Sequence, residues 1–171
     1  PYVEQVRAYK KHDLSESAEK LLHDKSMTGA SAWGRLYDET LASMRFEVDG
    51  QSYTEAQLSK FFHSSDAATR KKAGAALGKS FKEKAPVLAL IINTLAKDKQ
   101  IDDELRGYEK PYSSRNLGNQ VEDNVVDALV SSVKENYPKL SHRYYAMKAD
   151  WLGVDKLEYW DRNAPLPVAG E

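Results

Sequence analysis

Apolar residues along most of this chain recur at spacings of three and four, the period of a helix with one buried face, and only short stretches switch to alternation. Val3, Val6 and Tyr9 begin the first such face, which stops near Asp13 and Leu14. Ser15 is placed to cap a second helix whose first turn holds Glu16 and Glu19, carboxylates that favour the positive end of a helix dipole. That helix carries Leu21 and Leu22 and ends before Thr28-Gly29. A third, from about Ser31, lines up Trp33, Leu36, Tyr37, Leu41 and Met44. Residues 46–53 then alternate about Asp49-Gly50, a pair that readily supplies the positive φ angles of a two-residue hairpin turn. Thr54 with Gln57 forms a capping box for a short helix holding Leu58, Phe61 and Phe62.

Residues 66–106 read as one long helix even though Pro86 falls inside it. Leu77, Phe81, Lys84, Leu88, Ile91 and Leu95 keep their phase through the proline, which predicts a kinked continuous helix rather than a break. Residues 107–118, with Pro111 and Ser113-Ser114, read as a loop. Asp123 or Asn124 then caps a helix bearing Val125, Val126, Leu129, Val130 and Val133, which closes before Pro138. A last helix holds Leu140, Tyr144, Met147 and Trp151 and is stopped by Gly153. The predicted fold is mainly α: a helical array with one long kinked helix, a small β-hairpin near 46–53 and a short terminal strand near 156–161. The expected division is a helical region with the hairpin over 1–65 and a second helical region over 66–171.

Composition narrows the chemistry. The 171 residues contain no cysteine, which removes disulfides, thiolate zinc sites, iron–sulfur clusters and cysteine nucleophiles and fits a reducing compartment. With 25 basic against 26 acidic residues, nothing global attracts a nucleic acid. A mean hydropathy of −0.66 and a longest apolar run of only 87–92 argue against a membrane span. The first residues already read as helix and the last trail off after strand-like positions, so both ends read as cut rather than finished.

The four histidines, His12, His23, His63 and His142, fall in different segments and make no His-x-x-x-His pair. Glu19 and His23 stand four apart and are expected to form an exposed pair on one helix face. Gly74 and Gly78, also four apart, suggest close helix packing rather than a phosphate cradle, since the Gly-Lys-Ser ending is missing. Arg70, Lys71, Lys72, Lys79, Lys82 and Lys84 read as a solvated basic face, with too few interleaved aromatics for a nucleic-acid reader. Asp98, Asp102, Asp103 and Glu104 among Lys97, Lys99 and Arg106 read as a mixed-charge helix end. Trp33 and Leu36 match the start of a tetratricopeptide repeat, but Tyr37 replaces its glycine and no second copy follows. No catalytic, cofactor-binding or metal-binding residue is assigned on this pattern.

One succession of motifs carries more. His12-Asp13-Leu14-Ser15, Glu19-Lys20-Leu21-Leu22, Ala32-Trp33-Gly34-Arg35-Leu36, the 46–53 stretch, Arg70-Lys71-Lys72-Ala73, Leu105-Arg106-Gly107-Tyr108 and Lys148-Ala149-Asp150-Trp151-Leu152-Gly153 follow in order. They run on to Tyr159-Trp160-Asp161-Arg162-Asn163-Ala164-Pro165-Leu166. This order resembles the oligoendopeptidase F family, relatives of thimet oligopeptidase, over nearly the whole chain. The resemblance implies a cytoplasmic zinc peptidase that cleaves oligopeptides in a channel between two largely helical halves. It further implies zinc held by the histidines of a His-Glu-x-x-His helix and a downstream glutamate, with the motif's own glutamate as general base. None of those residues stands in this sequence, so the resemblance implies an inactive fragment with no zinc of its own. Its helices, over 66–106 and 123–151, would wall the channel and limit substrate size, and 107–118 would move between open and closed forms. An exposed apolar face would remain where the missing half packs, through which the fragment could self-associate. The alternative reading is a stand-alone helical interaction module without catalysis.

Overall fold

The computed structural model describes residues 2–167 and bears out the mainly helical reading with one small hairpin. In chain order the elements are α1 (Tyr2–Tyr9), α2 (Glu16–Ser26), α3 (Ala30–Ser43), β1 (Phe46–Val48), β2 (Gln51–Tyr53) and α4 (Glu55–Ser59). There follow α5 (Ala67–Leu105), α6 (Ser113–Gly118), α7 (Asp123–Asn136) and α8 (Ser141–Leu152). Single 3-10 turns occupy Lys10–His12, Lys60–His63 and Tyr159–Asp161.

Local chemistry explains where the helices begin and end. The Ser15 hydroxyl accepts from the Ala18 amide at 3.3 Å at the head of α2, and the Thr54–Gln57 capping box opens α4. Asp66 caps α5 by accepting from the Thr69 amide at 2.8 Å and the Ala68 amide at 3.3 Å. A bond from the Thr69 hydroxyl, followed by these two amide bonds, holds the Asp66 carboxyl below its ordinary range. Helix α5 then runs 39 residues with Pro86 inside it. It closes at Gly107, whose φ of +69° suits glycine, and the Tyr108 amide returns to the Asp103 carbonyl at 2.9 Å. Gly153, with φ +67°, ends α8 in the same left-handed manner.

The chain divides into two compact units. One takes residues up to Glu39 together with Val87–Lys134, and the other takes Thr40–Pro86 with residues from Glu135 onward. In the first, Ile91 of α5 is fully buried and Leu88 and Leu95 are half-buried, so the predicted stripe does face inward there. In the second, Met44, Phe46, Leu58, Ala73 and Ala76 form a buried cluster flanked by Val48, Tyr53, Phe61, Leu77 and Phe81. Tyr53 meets Phe61 edge-on at 5.1 Å between ring centres.

The hairpin pairs Phe46 with Tyr53 and Val48 with Gln51. Asp49 and Gly50 supply its turn with φ of +50° and +79°, the signs that the Asp-Gly pair predicts. Only one of the two small residues on α5 is used for close approach. A Cβ on Gly74 would lie 2.7 Å from the Trp160 ring and 2.8 Å from the Tyr159 hydroxyl, whereas a Cβ on Gly78 would meet nothing within 4 Å. The Tyr159 hydroxyl donates to the Gly74 carbonyl.

Three expectations fail, each for a stated physical reason. The loop expected over 107–118 contains α6, whose Asn116 is buried and hydrogen-bonded to the start of α7. Asp123 lies inside α7 instead of capping it, because its carboxylate is taken by Ser113 and Asn116. The strand expected near 156–161 does not form: among the described residues no partner strand lies beside it, and Glu158 and Asp161 cap one another about the 3-10 turn at 159–161.

Candidate functional site

Three polar centres stand out, and the sequence indicates none of them as a unit. In the first unit Arg106, just past the end of α5, grips Glu19 of α2 with a two-pronged contact, Nη1 to Oε1 at 2.7 Å and Nη2 to Oε2 at 2.9 Å. Its Nε donates to Asp102 at 2.9 Å, and the Leu14 amide donates to Glu19 Oε1 at 3.1 Å. These bonds, led by the guanidinium, hold the Glu19 carboxyl down to about 2. The expected Glu19–His23 pair is therefore replaced, since the guanidinium offers a stronger partner than an imidazole across one helix turn. His12 Nδ1 donates to the Arg106 carbonyl at 2.8 Å, and its ring stacks on Tyr108 with centres 3.8 Å apart. Burial pushes the Tyr108 hydroxyl up from its ordinary value.

Beside this network, Asp123 accepts from Ser113 at 2.9 Å and Asn116 at 2.8 Å, with the Lys110 ammonium 3.8 Å away. The side-chain donors lower its pKa. A cleft of about 590 Å³ between α2 and α5 is lined by Leu22, His23, Asp98 and Ile101, and another of about 660 Å³ by His12, Tyr108, Ser113 and Asp123. Glu19 and Asp123, held ionised by their partners, make poor bases near neutral pH. Asp103, grouped by sequence with an exposed helix end, is buried and accepts from Lys99 at 2.5 Å.

The second unit is organised about a buried ion pair. Arg70 donates Nε and Nη2 to Asp161 Oδ1 at 3.0 and 2.9 Å, and Nη1 to the carbonyls of Ser64 and Ser65, each at 2.9 Å. Arg70 is only 3% exposed, so it leaves the solvated basic face expected of it, while Lys71, Lys72, Lys79, Lys82 and Lys84 remain exposed. Lys148, also buried, donates to the Arg162 carbonyl at 2.8 Å. Desolvation, with the nearby Arg70 charge, lowers its pKa. A separation of 91 positions hides the Arg70–Asp161 pair from any local pattern. Both nonetheless lie in stretches quoted above for the family resemblance.

The four histidines stay apart on separate elements, and among the described residues no group of three or more His, Cys, Asp or Glu side chains converges to hold a metal ion. The described side chains therefore do not fit a zinc site. No helix of the described residues is long and apolar enough to cross a membrane.

Comparison with known proteins supplies the family. The model described as Peptidase family M3 matches residues 60–164, and that described as Oligopeptidase F matches residues 1–46. The chain belongs to peptidase family M3. Among its M3 relatives, an oligoendopeptidase F homologue of Borreliella burgdorferi is 27% identical over 165 residues, which is 96% of this chain and 28% of that protein. The group B oligopeptidase PepB of Streptococcus agalactiae is 26% identical over 171 residues, again 96% of this chain and 28% of its own length. The crystal structure of oligoendopeptidase-F from Enterococcus faecium shares the fold with a TM-score of 0.85 at 22% identity, over 96% of this chain and 33% of that one. The chain thus spans about 28% of the curated M3 relatives it matches.

Proposed function

We propose that this chain is the helical portion of a cytoplasmic zinc oligopeptidase, in which it limits the size of admitted substrates while residues outside it carry the hydrolysis. The observation that supports this reading is the ordered match to the M3 family over 1–46 and 60–164, taken with side chains that do not themselves fit a metal site. A zinc ion in such an enzyme supplies an activated water and polarises the peptide carbonyl. No step of that chemistry falls on a residue of this chain. Its contribution is steric: long helices such as α5, α7 and α8 form rigid wall, which turns away folded proteins by exclusion and accepts flexible peptides.

The test uses a longer protein that contains these residues. Fluorogenic oligopeptides should be cleaved and inhibited by a zinc chelator, with activity restored by zinc, while a folded protein carrying the same cleavable sequence in an ordered region should be spared. Deleting the present segment should leave bound zinc and abolish that size discrimination. Rejection of the folded substrate that persists after the deletion removes the steric role, and absence of peptide hydrolysis in the longer protein removes the peptidase assignment.

A further inference from the structure

Three charged side chains are buried in the second unit: Arg70 of α5, Lys148 of α8 and Asp161 of the 3-10 turn at 159–161. Two cations therefore share one carboxylate. That carboxylate already has its partners, since Oδ1 accepts from Arg70 Nε and Nη2 and Oδ2 from the Glu158 amide at 3.1 Å. Lys148 forms no ion pair among the described residues, and its ammonium donates to the neutral Arg162 carbonyl at 2.8 Å. The charged groups that act on it are Arg70 from α5, which opposes its charge, and Asp161 from the turn, which favours it. Glu158, the acid just before the turn, is engaged with the Asp161 amide.

These contacts clasp the chain that follows α8. Arg70 holds Asp161, Lys148 holds the adjoining Arg162 carbonyl, and the Tyr159 hydroxyl donates to the Gly74 carbonyl, so residues 159–162 are pinned to α5 on one side and to α8 on the other. The two cationic arms differ in kind. A guanidinium stays charged throughout the range in which proteins fold, whereas a lysine amine can give up its proton and still donate an N–H bond. Desolvation, and after it the Arg70 charge, bring the Lys148 pKa below the ordinary lysine value of 10.5.

We propose that Lys148 makes this clasp respond to pH: the ammonium loosens it by facing Arg70, and release of one proton to solvent tightens it, because the neutral amine keeps the Arg162 carbonyl without the repulsion. The direction follows from linkage. Between the folded-state value and 10.5 the unfolded chain holds a proton on Lys148 that the folded chain has released, so the second unit gains stability as the pH rises through that interval. Below it both states are charged, above it both are neutral, and the contribution is level on either side. Exposed Lys72 has the opposite sign, since its Asp49 partner raises its pKa. The device belongs to the second unit itself and does not depend on the peptidase reading.

The experiment is urea unfolding of the 171-residue chain and of Lys148→Met between pH 7 and 11, followed by the methyl signals of Ala149 and Ala164, both buried in the second unit. The unfolding constant of the variant divided by that of the native chain should grow with pH, by up to about tenfold per pH unit within the interval. A ratio that is constant, or that falls as the pH rises, overturns the proposal. A second measurement needs no change at Lys148. In the native chain labelled with 13C-lysine, the Lys148 Cε signal should titrate with a midpoint below 10.5, and Arg70→Met should move that midpoint upward by leaving Asp161 as the charge that faces the amine. A native midpoint at or above 10.5, or one that Arg70→Met leaves in place, equally overturns it.

Discussion

Replacing Arg70 with methionine keeps an apolar stem of similar length and removes five hydrogen-bond donors, four of whose contacts go to Asp161, Ser64 and Ser65. The Asp161 carboxylate, with a side chain 9% exposed, is then left buried with the Glu158 amide as its remaining donor, at 3.1 Å. Breaking one side of a buried pair costs about 3 to 5 kcal/mol, most of it the penalty of an uncompensated charge. For a chain of this size that corresponds to a fall in melting temperature of about 6 to 20 °C. Removing both charges, as in the Arg70→Met, Asp161→Leu double variant, should recover part of the loss, because the Asp161 charge no longer stands without its guanidinium, although Lys148 stays buried on the Arg162 carbonyl. The sum of the single effects should exceed the double effect by more than about 1 kcal/mol. Urea unfolding followed by amide hydrogen exchange is the suitable assay, since two compact units need not open together and the loss should fall on amides of the second unit. Single-variant losses that add to within about 0.5 kcal/mol, or an Arg70→Met loss below about 1 kcal/mol, would refute the reasoning.

Gly74→Ala should destabilise by about 1 to 3 kcal/mol despite alanine's better helix propensity, because its Cβ meets Trp160 at 2.7 Å, whereas Gly78→Ala, with open space around it, should stabilise by up to about 1 kcal/mol. Thermal melts of the two variants decide this by the sign of the shift. For Glu19 the folded-state pKa of about 2 lies below the unfolded value of 4.5, so its contact with Arg106 stabilises fully above pH 4.5 and fades as the pH falls toward 2. Melting temperatures of the native chain and Glu19→Gln should therefore differ at pH 7 and converge near pH 2, and a gap that stays constant with pH contradicts the assignment.

Much of this fold is legible along the chain because its causes are local. The Ser15 and Thr54 caps, the Asp49-Gly50 turn and the phase of Leu77, Phe81, Leu88 and Ile91 act over a few residues, where hydrogen-bond geometry and side-chain periodicity leave few alternatives. The failures are also instructive. The 156–161 alternation lacked a partner strand, which no local pattern can report, and α6 was missed because its stability draws on Asn116 reaching Asp123 rather than on apolar period. Family membership was readable from short motifs in order, although the distances that give those motifs their meaning were not.

What the sequence determined by itself is the helical class, the hairpin and the Ser15 and Thr54 caps, since each depends on near neighbours. Only the tertiary structure decided that Arg70 leaves the solvated basic face to meet Asp161, that Glu19 pairs with Arg106 rather than His23, and that Gly74 but not Gly78 admits an aromatic pair. In each case a charge or a cavity takes its character from groups tens of residues away. Burial and pairing are set by that distant company, and residue type alone does not fix them.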